Sequence, residues 1–131
     1  MAQRSGDWFA QAEHDLGHAR SAASEARFDW ACFAAHQAAE KAVKALHLHH
    51  RQEAWGHVVA RLLAQLPPAA AASPELIDAA KVLDAFYIPT RYPDSHPEGP
   101  PFSHYGRFQG EEAIRHAGAI LAFVRAALAG D

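Results

Sequence analysis

The chain has 131 residues, with 12 Lys and Arg against 15 Asp and Glu, 10 His, a single Cys and a formal charge of −3. The length suits one domain over residues 1–131, able to bury roughly two-thirds of its unfolded surface without a disulfide or a metal. One Cys excludes an internal disulfide and a Cys-based zinc cluster. The mildly acidic balance argues against strong non-specific DNA binding, and a chain that is 50% hydrophobic is not wholly disordered.

Ala dominates and has the best helix propensity, whereas Val and Ile are too few to build a sheet. No stretch reaches the roughly 18 uninterrupted apolar residues of a membrane span. Met1 to Asp7 lack the apolar run of a signal peptide, so a cytoplasmic location is expected.

The pattern predicts an all-α fold, a four- to five-helix up-and-down bundle with a long Pro-rich loop before the last helix. Helix one is expected over about Asp7–Ala26, capped by Ser5 or Asp7, with Trp8, Ala12, Leu16, Ala19 and Ala23 as its apolar stripe. Helix two covers about Trp30–His50 with Asp29 as cap. Phe28, Cys32, Ala35, Ala39, Ala42 and Leu46 line one face and Phe33 and Leu48 another, the pattern of a central helix. After a loop at Arg51–Gly56, a short helix three runs from about His57 to Leu66 and ends at Pro67-Pro68. Ser73 and Pro74 start helix four, with Ile77, Ala80, Leu83 and Tyr87 inward and Pro89 as its stop. Thr90–Gln109 holds four prolines and reads as a long irregular loop, a type that in a compact domain is commonly functional. Helix five is expected over about Gly110–Leu128, seamed by Ile114, Ala117, Leu121, Val124 and Leu128. Glu111 and Glu112 complement the positive end of its dipole.

The loop gathers the chemistry. Tyr87-Ile88-Pro89-Thr90-Arg91-Tyr92-Pro93-Asp94-Ser95-His96-Pro97 brings a planar cation, phenols, a carboxylate and an imidazole into one short span. Arg91 offers a fork of donors matched to phosphate oxygens, and His96 can move protons near neutral pH. His104, Arg107 and Arg115 follow, against Asp94, Glu98, Glu111 and Glu112, so the segment turns positive as its His protonate. His47 and His50, and separately His14 and His18, share helix faces at metal-ligand spacing, but a third ligand is missing and no metal is expected. Lys41 and Lys44 sit one turn apart, with Glu40 paired to Lys44 on a solvated face. Trp8, Trp30 and Trp55 suit a core or an interface, and Cys32 an inert inner position. No Gly-rich phosphate loop, Gly-x-Ser-x-Gly turn or His-Glu-x-x-His pair is present, and no cofactor is expected.

The run Trp30-Ala31-Cys32-Phe33-Ala34-Ala35-His36-Gln37-Ala38-Ala39-Glu40-Lys41-Ala42-Val43-Lys44-Ala45-Leu46 resembles the second helix of HEPN domains. Trp55-Gly56-His57-Val58 with Leu62-Leu63, the stretch Leu83-Asp84 through Asp94, and Glu111-Glu112-Ala113 with the closing helix are similar to later parts of the same family. The resemblance covers nearly the whole chain. It implies a small helical bundle that forms a homodimer, and a partnership with a small nucleotidyltransferase, often as a toxin–antitoxin pair. Active members of the family are metal-independent endoribonucleases with an Arg, four to six residues and a His, paired across a dimer cleft. Arg91 and His96 match with four residues between them. By that resemblance Arg91 holds the scissile phosphate and His96 moves protons, with Tyr87, Tyr92, Asp94, His104 and Lys44 expected at the substrate. Ribonuclease members carry a small polar residue after the Arg, where this chain has Tyr92 and then Pro93. The first expectation is therefore a dimeric binding module with a cleft for nucleotide or RNA phosphate, and the alternative is a ribonuclease using Arg91 and His96.

Overall fold

The computed structural model describes residues 3–130. Five α-helices occupy them: α1 (Ser5–Ser24), α2 (Phe28–His49), α3 (Val59–Ala64), α4 (Pro74–Asp84) and α5 (Arg107–Ala129), and no strand occurs among the described residues. Single 3-10 turns lie at Pro68–Ala70, Pro93–Ser95 and Pro101–His104. The expected all-α bundle and its loop before the last helix are therefore present, with two of those turns giving the loop local order.

The centre of the molecule is α2, which packs against every other helix and leaves an outer edge at Trp30, Phe33, Gln37, Lys41 and Lys44. Its buried residues include Ala31, Ala34, Ala35, Ala38, Ala39, Ala42 and Ala45. Side chains this short let α1 and α5 lie close against it, and Leu16, Leu46, Leu62, Leu63, Leu83, Ile120 and Leu121 fill the space between. At the start of α5 the approach is closer still. A Cβ built on Gly110 would stand 2.9 Å from Cδ1 of Phe28, so this position requires glycine or a shifted Phe28 ring.

The ends of the helices differ from expectation for local reasons. Ser5 is the buried first residue of α1 rather than its cap, and its N–H donates to Oε1 of Gln3 at 2.6 Å. Asp29 lies in the first turn of α2, where it acts on the dipole without a capping hydrogen bond. Ser73 does cap α4, accepting from the Leu76 N–H at 3.1 Å. At α5 the Gln109 side chain reaches back to the Gly106 N–H at 2.9 Å, and the helix begins at Arg107, three residues earlier than the charge pattern indicates. The apolar stripe of α1 runs through Ala12, Leu16, Ala19 and Ala22, leaving Trp8 exposed. Trp30 and Trp55 are exposed as well, so none of the three tryptophans belongs to the core.

The start of α3 is set from a distance. Its first two N–H groups, from Val59 and Ala60, donate to the two carboxylate oxygens of Asp84 at 2.7 and 3.0 Å. Asp84 is the last residue of α4. It therefore supplies the cap that no neighbouring residue in the chain provides, and it fixes the α4 exit, which leads straight into Tyr87 and Arg91.

Candidate functional site

Three layers of side chains lie between the outer face of α2 and the chain leaving α4. The first is a polar relay. Lys44 Nζ donates to Oε2 of Glu40 at 3.0 Å, and the other oxygen of that carboxylate accepts from Nδ1 of His57 at 3.0 Å. The expected Glu40–Lys44 pair is present, but Glu40 is only 5% exposed and the pair is not part of a solvated face. The carbonyl of His57 in turn accepts from Nε2 of the fully buried His36 at 2.9 Å. The same His36 nitrogen lies 3.4 Å from Oδ1 of Asp84, while Gln37 donates to its Nδ1 at 3.2 Å. Both ring nitrogens of His36 are thereby held. Burial works to raise the Asp84 carboxyl, but the His36 hydrogen bond and the Ala60 and Val59 N–H groups outweigh it and hold the group below the usual carboxylate range.

The second layer is aromatic. Tyr87 stacks on His57 with ring centroids 4.7 Å apart and 20° between planes, touches His36 at 4.9 Å and lies over Phe33 at 6.2 Å. Trp30 meets Phe33 edge-on at 6.1 Å. The third layer is Arg91. Its Cζ lies 4.2 Å from the Phe33 centroid, 4.8 Å from that of Tyr87 and 5.1 Å from that of Tyr92. Its Nε and one Nη donate to the Tyr87 carbonyl at 2.9 and 2.7 Å. A guanidinium has five N–H donors. Holding it by two of them against flat aromatic faces fixes its plane and leaves the rest of the fork to meet an anion.

His96 belongs to a different cluster. Its Nε2 lies 2.7 Å from the Pro89 carbonyl, and because a carbonyl only accepts, that nitrogen carries the proton. Its ring stacks on His104 at 4.1 Å and 4°, and Tyr105 packs edge-on at 5.9 Å. His104 Nε2 donates to the Glu98 carbonyl at 2.7 Å. The two histidines thus tie the loop to itself. Arg91 and His96 grip different carbonyls and different rings, so the structure joins Arg91 to Tyr87 and Tyr92, and His96 to His104. Asp94 is exposed in the 3-10 turn at Pro93–Ser95, and Lys44 sits at the far end of the relay.

The spacing-based metal candidates are placed otherwise. His47 is buried, with Nε2 donating to the Leu62 carbonyl at 2.8 Å and Nδ1 3.1 Å from the Gln52 side chain. His14 and His18 are on α1, away from it. Among the described residues no group of three or more His, Cys, Asp or Glu stands ready to hold a metal ion, and no helix is long and apolar enough to cross a membrane.

Phe33, under the Arg91 guanidinium, and His57, stacked on Tyr87 and bonded to Glu40, do not stand out in the sequence as functional. A hint for His57 is Gly56, whose φ of +93° makes the turn that presents it. From Phe33 a groove continues along α1 and α2, lined by Trp30, Gln37, Lys41, Asp15 and His18.

Comparison with known proteins agrees with this architecture. A family model described as the HEPN domain matches residues 5–127. The crystal structure of TT1696 from Thermus thermophilus superposes with a TM-score of 0.92 at 52% identity, over 95% of this chain and 98% of that one. ST0689, an archaeal HEPN homologue, gives a TM-score of 0.81 at 39% identity, over 97% of this chain and 99% of that one. A HEPN domain protein from Thermotoga maritima, tm0613, gives 0.76 at 33% identity, over 94% of this chain and 98% of that one. No curated protein matches the chain.

Proposed function

Starting from the fact that the chain belongs to the HEPN domain family, we propose that it is a binding module whose Arg91 holds a phosphate of a nucleotide or of single-stranded RNA. The observation that carries the proposal is the mounting of Arg91. Two of its donors are anchored on the Tyr87 carbonyl and its face rests on Phe33, Tyr87 and Tyr92. An arginine held in this way is pre-organised for a planar, bidentate meeting with phosphate oxygens. Exposed Tyr92 beside Arg91, and exposed Trp30 beyond Phe33, offer faces on which bases stack, and the groove continues to Lys41, which is paired with Asp15. The module acts as a homodimer, two Arg91 sites facing one cleft, and takes a small nucleotidyltransferase as its partner. Both statements rest on the family resemblance. In this setting an overall charge of −3 is no obstacle, because a local cluster rather than the total sets the field at the cleft.

Titration of a fluorescent single-stranded RNA oligomer, followed by anisotropy, tests the phosphate site. Saturable binding that Arg91→Ala weakens on the order of a hundredfold supports it, the cost expected for a charge-assisted bidentate contact. Equal affinity of the variant contradicts it. Co-purification from the native host tests the partnership, and recovery of the free dimer alone, with no nucleotidyltransferase, counts against that part.

A ribonuclease built on Arg91 and His96 is the second reading, and within one chain the two side chains are anchored on different carbonyls, of Tyr87 and of Pro89. His96 donates its Nε2 proton to the Pro89 carbonyl and rests one ring face on His104, which leaves Nδ1 as the nitrogen that could accept a proton.

A further inference from the structure

We infer that the furrow between α1 and α2 beside Phe33 receives an adenine base of the strand whose phosphate Arg91 holds, and that Gln37 selects this base. The inference deepens the phosphate-binding reading and rests on it. Trp30, Phe33, Ala34, Gln37 and Lys41 recur at helical spacing and form one stripe of α2. With Asp15 and the exposed His18 of α1 they line a pocket of about 270 Å³. Phe33 belongs to this pocket and to the Arg91 site alike, since the guanidinium carbon lies 4.2 Å from its ring centroid. A base in the pocket and a phosphate on Arg91 are therefore parted by one aromatic ring.

The lining suits a flat, neutral ring. Trp30 stands edge-on to Phe33, with centroids 6.1 Å apart and 79° between planes, so the two rings form a corner. Trp30 is 48% exposed, which leaves indole surface open for stacking. At the Lys41 end the charges cancel, because Lys41 Nζ donates to one oxygen of Asp15 while the Gln11 side chain donates to the other. A second phosphate finds no unpaired Lys or Arg in this lining.

Gln37 supplies the discrimination. Its amide nitrogen lies 3.2 Å from Nδ1 of His36, and an amide nitrogen only donates, so one N–H is spent there. His36 is fully buried, with Nε2 on the His57 carbonyl at 2.9 Å, and turning the amide over would cost the Gln37 hydrogen bond. The Oε1 acceptor and the second N–H remain for a ligand. That edge matches the amino group and adjoining ring nitrogen of adenine, the pairing by which Gln reads this base in duplex DNA. Hypoxanthine sets a carbonyl oxygen where the amino group stood, and two acceptors then face each other. Cytosine carries the same donor and acceptor on a smaller ring, with less surface for Trp30, so adenine is the tighter of the two.

The test measures the anisotropy of labelled uridine oligomers that differ at one central base, adenine or hypoxanthine. The wild-type protein is expected to bind the adenine oligomer about tenfold more tightly, the discrimination of one bidentate pair. Gln37→Ala is expected to bind the two alike. Trp30→Ala is expected to weaken both roughly tenfold, because stacking does not depend on which edge the base presents. Equal affinity of the wild-type protein for the two oligomers overturns the inference, and so does a preference for hypoxanthine. A preference for adenine that survives Gln37→Ala unchanged also overturns it, as does undiminished binding of the adenine oligomer by Trp30→Ala. The comparison of bases on the wild-type protein needs no substitution, so a variant that fails to fold does not remove the test. In each of these cases, loss of affinity for both oligomers in Arg91→Ala shows the phosphate site still standing. Failure of the wild-type protein to bind either oligomer overturns the phosphate site itself, and this inference with it.

Discussion

Arg91 closes on the carbonyl oxygen of Tyr87 with two donors at once, Nε at 2.9 Å and Nη at 2.7 Å, while its Cζ lies 4.8 Å from the ring centroid of the same tyrosine. One residue thus supplies both the anchor and part of the platform. A lysine at this position could make one hydrogen bond to the carbonyl but could not lie flat on Phe33 as well. Arg91→Lys is therefore expected to weaken RNA binding on the order of tenfold, equivalent to about 1.4 kcal/mol. The charge is unchanged, so an electrostatic origin alone predicts no difference in an anisotropy titration.

Asp84 is the second testable joint. Removing its carboxylate strips the acceptors from two N–H groups at the start of α3 and a partner from buried His36. Asp84→Ala is expected to lower stability by about 1–3 kcal/mol in urea unfolding, the range for leaving buried donors without a partner. Its pH dependence has a definite sign. The folded-state pKa is depressed below 3.8, so the stabilisation is complete above that value and disappears as pH falls through the folded pKa. The stability gap between wild type and Asp84→Asn should hold constant near neutrality and close only in acid.

Cys32 is fully buried, and burial first, with Asp29 second, pushes its thiol up to about 12. The thiolate is the reactive species, so the folded protein should not be alkylated at neutral pH. Denaturant should expose one reactive thiol per chain. Ready labelling of the native protein would show that the helices do not enclose Cys32 as described.

The contact between α2 and α5 predicts a coupling. Gly110→Ala places a methyl group 2.9 Å from Cδ1 of Phe28 and should cost about 1–3 kcal/mol, the range for overpacking. In a Phe28→Ala background the same change should cost far less, because the clashing ring is gone. A double-mutant cycle measures the difference, and additive losses would rule out the contact.

How much of this was legible in the sequence depended on distance along the chain. The Ala stripe of α2, the Ser73 cap and the Glu40–Lys44 pair are local, and each appears as the spacing indicates. The Pro-rich loop and Arg91 were also readable, since the residue types advertise their chemistry. The start of α3 was not, because its cap is Asp84, 24 positions after Ala60, which the chain must fold to bring near. Phe33 read as a second apolar face of helix two, and only the fold shows that this face carries Arg91. His57 was hidden for the same reason, as Glu40 lies 17 positions before it. The pairing of Arg91 with His96 followed from their nearness in sequence, whereas the folded loop turns the two side chains to separate carbonyls.

The central claim is that the Arg91 fork receives a phosphate, and the side-chain Nε–H resonance of Arg91 reports on it most directly. The signal can be assigned by its loss in Arg91→Lys and followed in nitrogen-labelled protein as a short single-stranded RNA oligomer is added. A saturable shift of that resonance, matching the affinity from anisotropy, is the predicted result. A bound oligomer that moves other arginines while the Arg91 signal stays still would contradict the account.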